Sequence, residues 1–180
     1  MKITKKNENE RVKFFAFIVS IFILSQFRLI DHPWNFTPVI AFGILSGYYL
    51  KNIMYGYSLI VISMILGDLI IGFHYLIFFT YIGLLFSVII GKYLKQLKPT
   101  QLFLSSISSS IIFFVISNFG VWFLSNFYTK NLQGLIDCYI AAIPFFRNTL
   151  ISTIIFVFIL KWLFDQLKLY SPLIRQKTYA

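Results

Sequence analysis

The sequence predicts an all-α fold, an integral membrane bundle of about six transmembrane helices with both termini in the cytoplasm. Three observations carry that expectation. Of the 180 residues 58% are hydrophobic and 20% aromatic while only 12% are charged, and the mean hydropathy is positive, a composition foreign to water-soluble domains. Long uncharged stretches recur along the chain and are too solidly apolar to alternate like barrel strands. In hydrocarbon they must satisfy their own backbone groups, which helices do. Finally, Lys and Arg fall unevenly between the stretches, as the positive-inside rule demands of a zigzag of spans.

The first stretch, Phe14 to Phe27, follows a basic segment, 1–13, and no small-x-small cleavage site comes after Leu24. It is expected to be a retained span and not a cleaved leader. The second, Phe36 to Leu50, begins within the Pro33 to Pro38 segment. The third, Ile53 to Gly67, lies between Lys51 and Asp68, and the fourth, Tyr75 to Gly91, between His74 and Lys92. The fifth, Leu102 to Phe127, is the longest, and the sixth, Thr149 to Leu160, ends at Lys161. Asn126 to Ile143 is the longest non-spanning piece, expected to form a lid or a surface helix. One domain, 1–180, is expected: a cytoplasmic basic N-terminus at 1–13, the bundle at 14–164 and a cytoplasmic tail at 165–180, with no room for an ATPase.

With the N-terminus inside, thirteen of the sixteen Lys and Arg fall on the cytoplasmic side, leaving only Arg28, Lys130 and Arg147 opposite. An even number of spans keeps the basic tail inside. The net charge of +10 is then read as cytoplasmic anchoring to anionic headgroups; no basic stripe on a soluble face exists to bind nucleic acid. The single cysteine, Cys138, excludes an internal disulfide and a multi-cysteine metal cluster. The serines of Ser105 to Ser110 are read as small helix-packing residues, and Asn35-Phe36-Thr37 as a chance glycosylation sequon.

On the sparsely charged side a polar set remains: Arg28, Asp31 and His32, then Asp68 and His74, then Lys130, Asp137 and Arg147. Fourteen uncharged residues separate Lys13 from Arg28, sixteen separate Lys51 from Asp68 and thirteen separate Arg147 from Lys161. At about 1.5 Å per residue these stretches cover only roughly 20 to 24 Å of a hydrocarbon core about 30 Å thick. Asp68 is too short to snorkel, so it is expected to face the bundle interior, with Arg28 and Arg147 as natural partners. An ionisable group at that depth marks a substrate site or an internal ion pair. Helix-breaking segments gather on the same side, at Trp34-Asn35-Phe36-Thr37, Asn118-Phe119-Gly120-Val121-Trp122 and Pro144-Phe145-Phe146-Arg147-Asn148. Broken backbone at depth is tolerated where it lines a cavity. The aromatics there can stack on a flat ligand or sit as an interfacial belt.

Arg28 to Val39 (RLIDHPWNFTPV), Gly67 to His74 (GDLIIGFH), Asn118 to Trp122 and Cys138 to Asn148 (CYIAAIPFFRN) together resemble a family of small uncharacterised bacterial integral membrane proteins. That family in turn resembles the substrate-binding S components of energy-coupling factor vitamin transporters. The resemblance implies a six-helix bundle with a micronutrient pocket near the outer surface, in the bacterial cytoplasmic membrane. It also implies a first helix that packs on a transmembrane coupling subunit, with ATPases supplied in trans. Ala16 and Ser20 stand where those proteins carry Ala-x-x-x-Ala. Lys2, in place of the Met-His start of the metal-specific members, argues against a cobalt or nickel transporter.

The expected function is accordingly uptake of a vitamin-like small molecule from an outward-facing pocket. The substrate-binding candidates are Arg28, Trp34, Asn35, Asp68, His74, Asn118, Trp122, Arg147 and Asn148, with Ala16 and Ser20 contacting a partner helix. No metal, cofactor or nucleic acid is expected. The alternative is a non-transporting scaffold subunit of a membrane or cell-envelope complex, which would be a packed, dry bundle. An enzyme is not expected, because no Ser-His dyad, His-Glu-x-x-His or paired-carboxylate motif stands out.

Overall fold

A computed structural model describes residues 19–24 and 26–166. Residues 19–24 and 26–27 are helical, and six helices follow: α1 (Val39–Tyr49), α2 (Ile53–Ile71), α3 (Ile77–Tyr93), α4 (Pro99–Leu124), α5 (Leu132–Ala141) and α6 (Ile143–Gln166). Local chemistry sets their ends. The Asn52 side chain accepts from Met54 N–H to start α2, and Asn131 accepts from Gly134 N–H to start α5. Pro99 opens α4, where its missing N–H would have had no helical partner. Gly72 ends α2 at φ 104°, a conformation that favours glycine. Ala142 alone separates α5 from α6.

At the centre stands α1, with ten of its eleven residues buried. A helix that is apolar all round must be enclosed by protein or by lipid, and here α2, α3, α4 and α6 enclose it. Its closest neighbour is α3. A Cβ at Gly43 would overlap the Ser87 hydroxyl, one at Gly47 the Val88 carbonyl, and one at Gly91 the Ile44 carbonyl. Glycines four apart on α1 therefore meet Ser87 and Gly91, four apart on α3, the small-residue seam by which helices approach closely in membranes. The pairings advance together along both helices, so α1 and α3 run parallel, with α2 returning between them.

The outer surface is that of a protein dissolved in lipid. On α4 the serines 105, 106, 109 and 110 are buried while Phe103, Leu104, Ile111, Val115, Phe119 and Phe123 are exposed. Ile151, Ile155, Ile159 and Trp162 form a similar exposed row on α6. Apolar patches of this extent are not left open to water. The buried hydroxyls of Ser105 and Ser106 donate to the Leu102 carbonyl, and Ser63 and Ser87 likewise to carbonyls one turn back, so they can face other helices without leaving a donor unmet.

The expected count of about six transmembrane helices needs correction. Among the described residues three helices are long and apolar enough to cross a membrane: Ile53–Ile71, Pro99–Leu124 and Ile143–Asp165. The stretch read as the second span yields the eleven-residue α1, and the fourth yields the seventeen-residue α3. At about 1.5 Å per residue α1 is roughly 16 Å long, about half the hydrocarbon thickness. It is a core helix, apolar because protein surrounds it. The placement of both termini inside assumed an even number of crossings, and loses its basis with the count. The first predicted stretch falls in part, and Ala16 wholly, outside the described residues; Ser20 is half-buried in the helical residues 19–24.

Candidate functional site

Where the α1–α3 seam ends, the helices part. The N-terminal ends of α1 and α3, the C-terminal end of α4 and the α5–α6 junction surround a cavity of about 700 Å3. From α1 come Val39 and Ile40; from α3 and the residue before it, Leu76, Thr80 and Leu84; from α4, Phe113, Ser117, Asn118 and Val121. Cys138, Ala141, Ala142, Phe145 and Thr149 form the wall across from them. Loops close the end: Trp34, Asn35 and Thr37 before α1, His74 before α3, and Phe127 and Tyr128 after α4.

Two loops are pinned by specific contacts. Asn35 takes φ 61°, which Asn tolerates better than most side chains. Asn148 Nδ2 donates to the Trp34 carbonyl at 3.0 Å, and the Trp34 and Phe145 rings meet edge to face, so α6 holds the first loop. After α4, Lys130 Nζ donates to the Trp122 and Ser125 carbonyls, which the helix end leaves without helical partners. The Trp122 indole donates to the Thr129 carbonyl at 2.9 Å.

Among the described residues Arg28 is the only side chain with a fixed charge on the lining. Its Nη1 donates to the Met64 carbonyl at 3.0 Å and its Nη2 lies 2.6 Å from Asp68 Oδ1, an ion pair whose angle falls outside hydrogen-bond geometry. Asp68 is fully buried and receives the Tyr81 hydroxyl at 2.5 Å on Oδ2. Arg28, at 16% exposure, separates it from the cavity. Gly67 makes room for this arrangement, since a Cβ there would stand 2.8 Å from Arg28 Nη1. Such a carboxylate is affordable inside a membrane protein because a guanidinium and a phenol are already in place.

The sequence candidates thus separate. Arg28, Trp34, Asn35, His74 and Asn118 line the cavity. Asp68 stands behind Arg28. Asn148 and Trp122 fix the surrounding loops, and Arg147 is exposed and outside the lining, so the expected convergence of Arg28, Asp68 and Arg147 reduces to a pair. His74 Nδ1 accepts from Leu76 N–H at 3.2 Å, which leaves the ring proton on Nε2 as a donor. Asn118 Nδ2 donates one turn back to Phe114 O, leaving its side-chain oxygen as acceptor. Burial pushes the Cys138 thiol up from its ordinary value, which keeps it protonated and unreactive. Among the described residues no group of three or more His, Cys, Asp or Glu gathers to hold a metal.

Sequence reasoning missed Tyr81 and the glycine seam. The signal for the seam was present, as Gly43-x-x-x-Gly47 and Ser87-x-x-x-Gly91. Tyr81 carried none, because a tyrosine in an apolar run looks the same whether it faces lipid or a carboxylate.

Fold and site define a membrane protein with several apolar helices and a hollow at one end of its bundle. The chain belongs to a family of unknown function, DUF6580, whose model matches residues 6–173. No curated protein and no solved structure matches it.

Proposed function

We propose that the chain binds a small, vitamin-like molecule in this cavity and takes part in its uptake across the cytoplasmic membrane of a bacterium. The observation that carries the proposal is the cavity. Its volume of about 700 Å3 is that of pockets for small organic ligands, and its composition is theirs too: apolar and aromatic walls with a few polar groups at fixed places. Trp34, Phe113, Phe127, Tyr128 and Phe145 offer faces and edges to a flat guest, while Arg28, His74 and Asn118 offer polar anchors. A scaffold subunit would call for a packed bundle, and nothing about the hollow follows from that role. Energy for transport would come from partner subunits, as the resemblance to S components implies, since the sequence holds no Gly-x-x-x-x-Gly-Lys-Ser/Thr phosphate loop.

Thermal melting of the purified chain against a broad vitamin panel tests this. A ligand held at about 100 times its Kd stabilises the folded state by roughly 2.7 kcal/mol and raises Tm. Ala141→Trp, which adds an indole to the lining, should fold and lose that response. If no compound raises Tm, or if Ala141→Trp responds as the parent does, the cavity is not a binding site.

A further inference from the structure

We infer that the guest of this cavity is a flat aromatic molecule bearing one carboxylate, and that its binding is linked to the uptake of one proton by Asp68. The inference rests on the binding role proposed for the cavity and adds the charge class of the ligand and a coupling ion.

Charge comes first. Among the described residues no Asp or Glu lines the cavity, Arg28 is its fixed positive charge, and His74 presents an N–H donor. A cationic guest would meet a guanidinium and no counter-charge. A carboxylate meets two donors, and Arg28 has N–H groups to offer, since of its five only those on Met64 O and Asp68 are engaged among the described residues. The ring of such a guest has Trp34, Phe145 and Phe113 to pack against.

The second step concerns Asp68. Unliganded, Arg28 and Asp68 cancel, so a guest carboxylate would bring an uncompensated negative charge into a poorly hydrated place. Two carboxylates on one guanidinium in low dielectric do not both stay ionised; one takes a proton. The guest reaches Arg28 from the cavity, whereas Asp68 is enclosed behind it with a phenol already on Oδ2 that can stay with the neutral acid. Asp68 is therefore the one to protonate, its proton arriving from solvent through the cavity. Before binding the site holds Arg28⁺ and Asp68⁻; afterwards it holds Arg28⁺, neutral Asp68 and the guest carboxylate, and the net charge is zero in both. Among the described residues Arg28 and, from α3, Tyr81 are the ionisable groups facing Asp68. On α1, the other helix packed on α2, the ionisable residues are Tyr48 and Tyr49 at its far end. His74 lines the same cavity and its imidazole can also take up a proton, so the test must separate it from Asp68.

Calorimetry on the full chain in lipid nanodiscs with benzoate, benzamide and benzamidinium is the experiment. Benzoate should bind about tenfold or more tightly than benzamide, as a charge-assisted contact does over a neutral one, and benzamidinium should not bind. Between about pH 5.5 and about 7.5, where the probe stays ionised, benzoate affinity should fall about tenfold per pH unit, with one proton taken up per molecule bound. Asp68→Asn should flatten that dependence, and His74→Gln should keep it. If Asp68→Asn does not fold, proton uptake by the parent, read from binding enthalpies in buffers of different ionisation heat, decides. Benzamide or benzamidinium binding as tightly as benzoate overturns the ligand class while leaving the cavity a binding site. Benzoate binding without proton uptake, or with a dependence that His74→Gln abolishes, overturns the role of Asp68. Binding of none of the three overturns the inference and, if the vitamin panel is also silent, the binding role itself.

Discussion

The α1–α3 pair holds a seam of close backbone contact and one side of a cavity, a few residues apart. At Gly47 and Gly91 an added Cβ would overlap the facing backbone, and at Gly43 the Ser87 hydroxyl. One turn toward their N-termini, Val39, Ile40, Thr80 and Leu84 stand around a cavity of about 700 Å3. The same parallel helices do both because side-chain size sets how far apart they stand. Small residues draw backbones together where dispersion is the available attraction, and larger ones hold them apart. The lesson is that a hollow in a small membrane protein needs an anchor, and here the anchor is the next turn of the same helices.

Substitutions at the two places should behave oppositely. Gly91→Leu drives a side chain into the Ile44 carbonyl, a backbone atom that cannot step aside. Its cost should exceed the roughly 3 kcal/mol upper end of ordinary overpacking and abolish recovery of folded, monodisperse protein in detergent. Asp68→Ala, behind the lining of the hollow, leaves Arg28 without its counter-charge. It should cost roughly 3 kcal/mol in a denaturant titration, the low end for a broken buried pair because Arg28 retains some exposure. Tyr81→Phe removes one hydrogen bond to a carboxylate and should cost about 1.5 kcal/mol by the same titration. Lys130→Met takes a cation from the α4 C-terminus; a loss of about 0.5 to 1 kcal/mol is expected, with faster amide exchange at 125–131. Ala141→Trp should change stability least, within about 0.5 kcal/mol, because it adds atoms to a space and not to a contact. If it destabilises as Gly91→Leu does, the hollow is packed in solution and the contrast fails.

The two regions were not equally legible. The Arg28–Asp68 pair could be read from span lengths: sixteen uncharged residues from Lys51 leave Asp68 inside the membrane profile, where a short carboxylate needs a cation. Arg147 met the same arithmetic yet stands exposed, because which way a helical residue faces depends on what packs beside it. Of the three segments expected to break helices only Trp34 to Thr37 is non-helical, since Asn118 to Trp122 continues α4 and Pro144 to Asn148 continues α6; even so, Trp34, Asn35 and Asn118 line the cavity while Trp122 and Asn148 hold its loops.

By itself the sequence determined that the chain is helical and lives in lipid, because composition and uninterrupted apolar runs report which groups avoid water. It did not determine how many helices cross. Phe36 to Leu50 and Leu102 to Phe127 are both apolar, yet the first yields a short helix sealed in protein and the second a long one whose Phe and Ile face outward. Hydropathy cannot separate those cases, since protein interior and bilayer interior exclude water alike. Only tertiary packing decided between them, through the small-residue seam that draws α1 into the centre and the ion pair that fixes where the hollow begins.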